Sequence, residues 1–327
     1  MNRPIHAGRL RNGGMGLYAL TDDEIDDIYL GALEVLERAG ISVQDEECMD
    51  IFADAGCSVD RAEHRVRIAP EIVEDAVRLS PDRIRLCGRD PRHDVIWEPG
   101  RPTFTPFLEG VLTVDLETNE VRESTKKDVG DICHLVEFLP EFDYPCVSVT
   151  ARDCPTETGS IHGWDAALRN STKGILIALM SRHETDTVIE MARAVVGGAA
   201  ELADRPIIAA AGSPVAPLHF NKSFTDFVIP SARAHIPTLI VSMGMVGATM
   251  PVTIAGTMVI GIAEELAGLV LIQACERGCP SMVGQSTCGF DMSTGLASVG
   301  CPEQALIMAA TAQISRKIRV PSWTAGL

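Results

Sequence analysis

The sequence is short of basic and of aromatic residues. Its 327 residues hold 28 Lys and Arg against 45 Asp and Glu, a formal net charge of −17. We therefore expect no nucleic-acid partner, because contacts to phosphates need clustered Lys and Arg. The acidic charge fits a cationic substrate or a basic partner, and it equally fits solubility alone. Aromatic residues make up 5% of the chain, which favours α/β packing of small aliphatic side chains over an all-β sandwich.

Metal-ligand motifs are also missing. None of the 10 cysteines forms a Cys-x-x-Cys pair, and the nearest two, Cys275 and Cys279, have no cluster of histidines beside them. A metal site is therefore not expected. Scattered cysteines in a chain of this size are typical of reduced, buried thiols, which predicts a cytoplasmic protein.

Uncharged apolar runs long enough for a membrane are missing too. The amino terminus has no apolar core of a signal peptide, so we expect none. Residues 256–274 are apolar but carry Glu264 and Glu265 near the middle. We expect a core helix there rather than a membrane span, with the two glutamates on its surface.

Residues 1–100 predict a separate α+β module. A capping box at residues 21–24 begins a helix, residues 46–55 and 70–79 favour two more, and residues 65–68 and 84–86 alternate like strands. Nothing in this part resembles a catalytic constellation. We expect the module to cover one end of the following domain or to form part of an interface.

Residues 101–327 alternate between apolar strands and helices, which predicts a parallel sheet covered by helices. The predicted strands are 103–107, 145–149, 174–179, 206–211, 238–242, 281–284 and 320–323, with a hairpin of 111–114 and 120–122 after the first. The predicted helices are 126–139, 185–196, 221–235, 253–275 and 303–318. The pattern is that of a (β/α)₈ barrel of the TIM type. Seven strands leave it one short, so we expect an incomplete barrel.

In such a barrel the segments just after the strands carry the chemistry. Here they supply few titratable groups, chiefly Glu109, Asp153, His183 and Asp291. A hydrolase or a proton-abstracting enzyme would usually show more acid/base groups. A site with so few titratable groups suits chemistry that a special reactive group or a cofactor supplies. No nucleotide-binding glycine motif is present, and His162 lacks the Asp-x-His-x-x-Gly setting that ligates cobalt in corrinoid modules, so no cofactor is expected to bind to this chain itself.

The end of the chain, Pro-Ser-x-x-Ala-Gly-x over residues 321–327, resembles the trimethylamine methyltransferase family. Further segments resemble that family in order and spacing: 88–90, 149–153, 242–245, 251–257, 284–287, 290–291 and 299–303. In pyrrolysine-containing members of the family the pyrrolysine, encoded by an in-frame UAG, comes directly after the end motif. We therefore expect that the sequence was read as ending at an amber codon, with the catalytic pyrrolysine after Leu327 and the C-terminal part missing.

The resemblance implies a methyltransferase that moves a methyl group from trimethylamine to the cobalt of a cognate corrinoid protein, in methylamine metabolism of the methanogenic or acetogenic type. The corrinoid would be carried by that partner protein. Among the residues present, we expect Glu109 and Gln285 to be catalytic and Ser286 and Phe290 to bind the amine, all four facing the barrel cavity. A carboxylate holds a cationic amine by a charge-assisted hydrogen bond, and an aromatic ring holds it by cation–π attraction.

Alternatives stay open at this point. Glu109 could be a solvated charge at the edge of the hairpin, and Phe290 could be a core residue. The resemblance also allows a pyrrolysine-free methyltransferase of quaternary amines such as glycine betaine. A different class of function is also open: the chain could be a barrel fragment without catalytic activity. We expect the truncated chain to be inactive and, because its sheet would have open edges, to form a homo-oligomer.

Overall fold

A computed structural model describes residues 17–326 of the chain. Residues 1–16 of the predicted module, and Leu327 with the position expected to follow it, lie outside the described residues. The helices are α1 (Asp22–Arg38), α2 (Glu46–Asp54), α3 (Pro70–Leu79), α4 (Lys126–Phe138), α5 (Gly159–Asn170), α6 (Arg182–Val196), α7 (Ala199–Asp204), α8 (Lys222–Arg233), α9 (Ile254–Cys275) and α10 (Pro302–Ile318). Single 3-10 turns lie at Pro91–His93 and Thr156–Thr158.

The strands are short. They are β1 (Ile41–Val43), β2 (Ser58–Asp60), β3 (Arg65–Arg67), β4 (Ile84–Leu86), β5 (Val95–Trp97), β6 (Leu112–Val114), β7 (Val121–Glu123), β8 (Ile175–Ala178), β9 (Ile208–Gly212), β10 (His219–Phe220), β11 (Thr238–Ser242), β12 (Met245–Val246), β13 (Ser281–Gln285), β14 (Cys288–Asp291), β15 (Leu296–Ser298) and β16 (Ser322–Thr324).

The central sheet is parallel, in the order β16-β13-β11-β9-β8. Two extended segments continue it beyond β8: Cys146 bridges Leu176, and Gly110 bridges Val149, both in parallel. The result is a curled half-barrel with seven strand positions in chain order. This confirms the predicted α/β barrel class. Within residues 17–326, the outer edge of β16 has no strand partner.

Two of the predicted strands are not regular strands. Residues 103–107 form no ladder; Phe104 N instead donates to Asp143 Oδ2 at 2.8 Å, and the barrel contact comes later, at Gly110. Pro102 and Pro106 have no N–H to give, which explains why a ladder does not form there. Residues 145–149 run in a strand position but pair only through isolated bridges, Cys146 with Leu176 and Val149 with Gly110.

Side chains along the sheet alternate between two apolar layers, as the pleat requires. Ile175, Ile208 and Ile240 pack under the helices. Leu176, Leu239 and Met282 fill the barrel interior together with Trp97 and Leu86 of the β4–β5 hairpin. Because Cys87 N donates to Pro206 O at 2.7 Å, this hairpin lies at the amino ends of the strands and closes that end of the barrel.

The rest of the N-terminal part packs on the outside of α9. Helices α1 and α3 contact α9, and β1 pairs in parallel with β10, which follows β9. The capping box at Thr21 is confirmed, with Thr21 Oγ1 accepting from Glu24 N. Whether residues 1–100 form a domain of their own stays a prediction.

Helix α9 therefore lies between the sheet and α1 and α3. It has the length and composition of a membrane span, but most of that stretch is buried inside the protein, as expected for a core helix. Glu264 is 0% exposed and Glu265 is 1% exposed. The prediction that these two glutamates lie on the helix surface is wrong, because both side chains point at the sheet, Glu264 toward Ser242 of β11 and Glu265 toward Gln285 of β13.

Candidate active site at the carboxyl ends of the strands

The carboxyl ends of the parallel strands meet at one rim, opposite the β4–β5 hairpin. Six connections leave this rim, at residues 108–110, 150–158, 179–184, 213–218, 243–250 and 286–291. They are the positions where a barrel holds its reacting groups.

Glu109 faces the barrel interior. Gly110 N donates to Ser148 O at 2.7 Å, and Gly110 bridges Val149, a residue of the helix-facing layer. Since neighbouring residues alternate, Glu109 lies on the interior side together with Ser148 and Cys146. Its side chain is half-buried rather than solvated at the hairpin edge.

The surroundings of Glu109 make it a weak acid. Burial, together with the smaller effect of the nearby Glu184 charge, raises the pKa of Glu109 from 4.5 to about 7. Glu184 is itself 5% exposed and held at the start of α6, where it accepts from Ser160 N at 3.3 Å and Ser181 Oγ at 3.3 Å. A carboxyl group with a pKa near 7 can both take up and release a proton at neutral pH.

Gln285 does not face the barrel interior. Two residues earlier, Val283 packs with Leu269 of α9, so Gln285 points to the same helix layer. A Cβ atom at Gly261 of α9 would lie 2.7 Å from Gln285 Nε2, which shows how closely the amide approaches that helix. The expected orientation toward the cavity is thus corrected, and a catalytic role for Gln285 stays a prediction.

Ser286 and Phe290 follow β13 at the same rim. Ser286 is half-buried, and its N–H donates to Ser242 O at 2.9 Å, which ties the end of β13 to the end of β11. Phe290 is half-buried in β14 and pairs with Ala297 of β15. Asp291 accepts from Ser293 N at 2.8 Å and stabilises the turn of that hairpin. That Ser286 and Phe290 bind an amine stays a prediction.

The buried acids Glu264 and Glu265 were missed as rim residues. Glu264 Oε1 accepts from Leu218 N at 2.7 Å, and Oε2 accepts from Ser242 Oγ at 2.6 Å. Burial raises the pKa of Glu264 to about 7 and the pKa of Glu265 well above its ordinary value. The signal that could have found them is the apolar character of α9 around its whole circumference, which is typical of a helix with no solvent face.

Oε1 of Glu265 and both amide atoms of Gln285 are buried without a hydrogen-bond partner. Gln285 lies close enough to favour the ionised form of Glu265, but burial outweighs this and the pKa stays raised.

No metal cluster marks the rim: in residues 17–326 no three His, Cys, Asp or Glu side chains lie close enough to hold a metal ion. A groove of about 440 Å³ lies on the outer surface between α1, α3 and α10, lined by Tyr29, Val77 and Ile318 among others. It is remote from the strand ends, so the rim rather than this groove is the candidate site.

Comparison with known proteins adds the family. Residues 5–327 match a family model described as trimethylamine methyltransferase (MTTB). The chain belongs to the trimethylamine methyltransferase (MTTB) family. This confirms the resemblance read from the sequence motifs.

Relatives within the trimethylamine methyltransferase family support the assignment. The chain is 34% identical over 322 residues to trimethylamine methyltransferase MttB of Desulfitobacterium hafniense, covering 98% of the chain and 65% of that protein. It is 34% identical over 325 residues to MttB of Methanosarcina barkeri, covering 96% and 64%. A glycine betaine methyltransferase of D. hafniense is 26% identical over 308 residues, covering 94% and 64%. The chain thus spans slightly less than two thirds of these relatives.

A solved structure with a similar fold is the monomethylamine methyltransferase MtmB of Methanosarcina barkeri. Its TM-score to this chain is 0.56 at 13% sequence identity, covering 93% of this chain and 67% of that one. The likeness supports the barrel fold.

Proposed function

We propose that the protein to which this chain belongs moves a methyl group from trimethylamine to the cobalt of a corrinoid carried by a separate protein in the cytoplasm, and leaves dimethylamine. Membership of the trimethylamine methyltransferase family supports methyl transfer. The observation in this chain that carries the proposal is Glu109, an interior carboxyl at the strand ends whose pKa is raised to about 7.

Glu109 is suited to an amine substrate. Trimethylamine reaches the protein as a cation at neutral pH, and a half-buried carboxylate attracts a cation more strongly than a solvated one does. Glu184 adds a second negative centre nearby. Glu109 can also take the proton of the trimethylammonium ion, which frees the nitrogen lone pair inside the barrel.

The overall step balances without an oxidant. The bond between nitrogen and one methyl carbon breaks with its electron pair left on nitrogen, and the proton that Glu109 took from the trimethylammonium ion returns to that nitrogen, which ends as dimethylamine. The two electrons of Co(I) form the new cobalt–carbon bond, so cobalt becomes methyl-Co(III). Cobalt is a substrate here, and the chain's own residues bind, orient and deprotonate the amine.

We further propose that pyrrolysine follows Leu327 and supplies an electrophilic imine for the amine. The rim is rich in Gly, Ser and Thr, which can line a cavity while pyrrolysine carries the reactive centre. This composition supports the proposal.

A second candidate function is demethylation of a quaternary amine. The 26% identity to a glycine betaine methyltransferase favours it. Glycine betaine carries a carboxylate, however, and Glu109 and Glu184 would repel it at the rim. Trimethylamine is therefore our first choice.

An amine panel tests the two functions. The protein expressed from its complete gene, with pyrrolysine incorporation where the gene requires it, is mixed with a Co(I) corrinoid protein and either trimethylamine or glycine betaine. Loss of the Co(I) absorption with trimethylamine alone is expected. Turnover of glycine betaine alone would establish the second candidate, and turnover of neither would contradict both.

A further inference from the structure

The Glu264 side chain joins two connections of the candidate rim. Its Oε1 accepts from Leu218 N at 2.7 Å and its Oε2 from Ser242 Oγ at 2.6 Å. Leu218 lies in the connection that follows β9, and Ser242 is the last residue of β11. A single carboxyl group on α9 thus holds the ends of two neighbouring barrel strands in a fixed relation.

Leu218 needs such a partner. Its φ of 55° lies in the left-handed region, which residues other than glycine occupy at a cost. The turn around it is closed by Val215 N donating to His219 O at 2.8 Å and His219 N donating to Val215 O at 3.0 Å. The Leu218 N–H points out of this turn toward α9. With Glu264 as its acceptor, the turn is fixed against the barrel wall.

From Ser242 the linkage continues to Ser286. Ser242 O accepts from Ser286 N at 2.9 Å, and also from Thr287 Oγ1 at 3.4 Å. Thr287 Oγ1 in turn accepts from Gly244 N at 3.3 Å. The connections after β9, β11 and β13 are therefore linked through Glu264 and Ser242, and Ser286 lies at the end of that linkage.

A carboxyl group is a costly way to fill this position. A buried carboxylate loses its hydration, and a well-packed apolar side chain of similar size would usually serve stability as well or better. Glu265 beside it is also buried, with Oε1 unpartnered. Two neighbouring acids in a protein core point to a demand other than stability.

We propose that Glu264 is a positioning residue of the methyl-transfer site, which fixes the connection 213–218 and Ser286 at the barrel rim through its hydrogen bonds to Leu218 and Ser242. The proposal rests on the proposed function. Glu264 acts through the backbone and touches no reacting atom, so its loss should disturb the geometry of amine binding rather than remove a chemical group.

The chain offers a matched control on the same helix. Gln273 of α9 is 3% exposed; its Nε2 donates to Cys279 O and Ser281 Oγ, both at 2.9 Å, and its Oε1 accepts from Gly278 N at 2.8 Å. Gln273 thus fixes the amino end of β13, whereas Glu264 fixes the connection after β9 and the carboxyl end of β11. Gln273→Leu therefore removes a comparable buried set of hydrogen bonds away from the rim.

The test compares Glu264→Leu, Glu264→Gln and Gln273→Leu in the protein expressed from its complete gene. Methyl transfer from trimethylamine to a Co(I) corrinoid protein gives kcat and KM, and thermal melting gives stability. We expect Glu264→Leu to lower kcat/KM by about 100-fold. Glu264→Gln should stay within about 3-fold, because its amide can still accept from Leu218 and donate to Ser242. Gln273→Leu should lower the melting temperature by as much as Glu264→Leu while kcat/KM stays within about 3-fold.

Equal losses of kcat/KM in Glu264→Leu and Gln273→Leu would overturn the proposal, since stability alone would then explain them. If Glu264→Leu does not fold, Ser242→Ala removes one bond of the pair and should cost about 10-fold in kcat/KM; unchanged kinetics would again overturn it. A wild-type protein that transfers no methyl group contradicts the proposed function alone. Amide hydrogen exchange at Leu218 then decides the positioning, with protection expected in wild type and Gln273→Leu and lost in Glu264→Leu.

Discussion

Glu264 and Glu265 are consecutive residues on α9, yet their buried carboxyl groups serve different strands, one at Ser242 of β11 and the other beside Gln285 of β13. Consecutive helical residues point about 100° apart. Both carboxyl groups are buried because the sheet covers the wide face of α9 on which they lie.

The first prediction concerns stability and pH. The pKa of Glu264 is raised from 4.5 to about 7 in the folded protein, so the folded state binds more protons than the unfolded state between these values. The contribution of Glu264 to stability is full below about pH 4.5 and is lost as the pH rises through about 7. Glu264→Gln should therefore stabilise the protein at pH 8 by about 2 kcal/mol relative to its effect at pH 5.

Urea denaturation of the folded chain at the two pH values measures this difference. Glu276→Gln, at an exposed position just after the same helix, is the control and should show no such change. If Glu264→Gln shifts stability equally at pH 5 and pH 8, Glu264 is not a buried weak acid.

The second prediction concerns Glu109 and the amine. Because the pKa of Glu109 is about 7, the carboxylate that attracts the trimethylammonium ion forms as the pH rises through 7. kcat/KM for trimethylamine should rise between pH 6 and pH 8, and Glu109→Gln should lose this rise and lower kcat/KM at pH 8 by about 30-fold. Glu120→Gln, at an exposed position in the β6–β7 hairpin, should match wild type. A pH profile that Glu109→Gln leaves intact would remove Glu109 from the site.

The third prediction concerns Lys173, which lies just before β8. Its Nζ donates to Val136 O at 2.6 Å, Leu139 O at 3.1 Å and Phe142 O at 2.8 Å, and so binds the carbonyls at the end of α4. Lys173→Met leaves these acceptors without their donor and should cost about 3 kcal/mol in the free energy of unfolding. Lys127→Met, which removes an exposed pair with Asp131, should cost less than about 0.5 kcal/mol. Similar losses in the free energy of unfolding for both variants would show that the Lys173 hydrogen bonds do not stabilise the fold.

The fourth prediction concerns the gene. If the family's pyrrolysine follows the end motif, the codon after Leu327 is UAG and the reading frame stays open beyond it. Mass spectrometry of protein from the native host should then find a longer product with a lysine-derived residue after Leu327. A UAA or UGA codon would contradict the pyrrolysine assignment and favour a pyrrolysine-free member of the family.

Local signals predicted much of the fold. The capping box at Thr21, the proline that begins α3 and the apolar strands β9 and β11 all lie where the sequence placed them. Helix α5 was not predicted, since Gly159 and Gly163 lower its helical propensity. Packing decides there: a Cβ atom at residue 163 would lie 2.9 Å from Val147, so glycine allows α5 to approach the barrel wall closely.

The site was less predictable, because it depends on which face of the sheet each strand residue takes and on contacts between residues far apart in the chain. Glu109 could be placed at the rim from its position after the first segment, but its interior side follows from the bridge at Gly110, three residues beyond the predicted strand. Gln285 was predicted to follow a strand at the rim, but it is the last residue of β13 and faces α9. Glu264 and Glu265 were assigned to a solvent face, but their side chains point at the ends of β11 and β13.

Methyl transfer from labelled trimethylamine tests the central claim most directly. Protein from the complete gene is incubated with a Co(I) corrinoid protein and trimethylamine labelled with ¹³C in its methyl groups, and both products are analysed by mass spectrometry. The proposed function predicts one labelled methyl group on cobalt for each dimethylamine released, with the rate reduced in Glu109→Gln. Corrinoid that stays unlabelled while the wild-type protein is folded would contradict it.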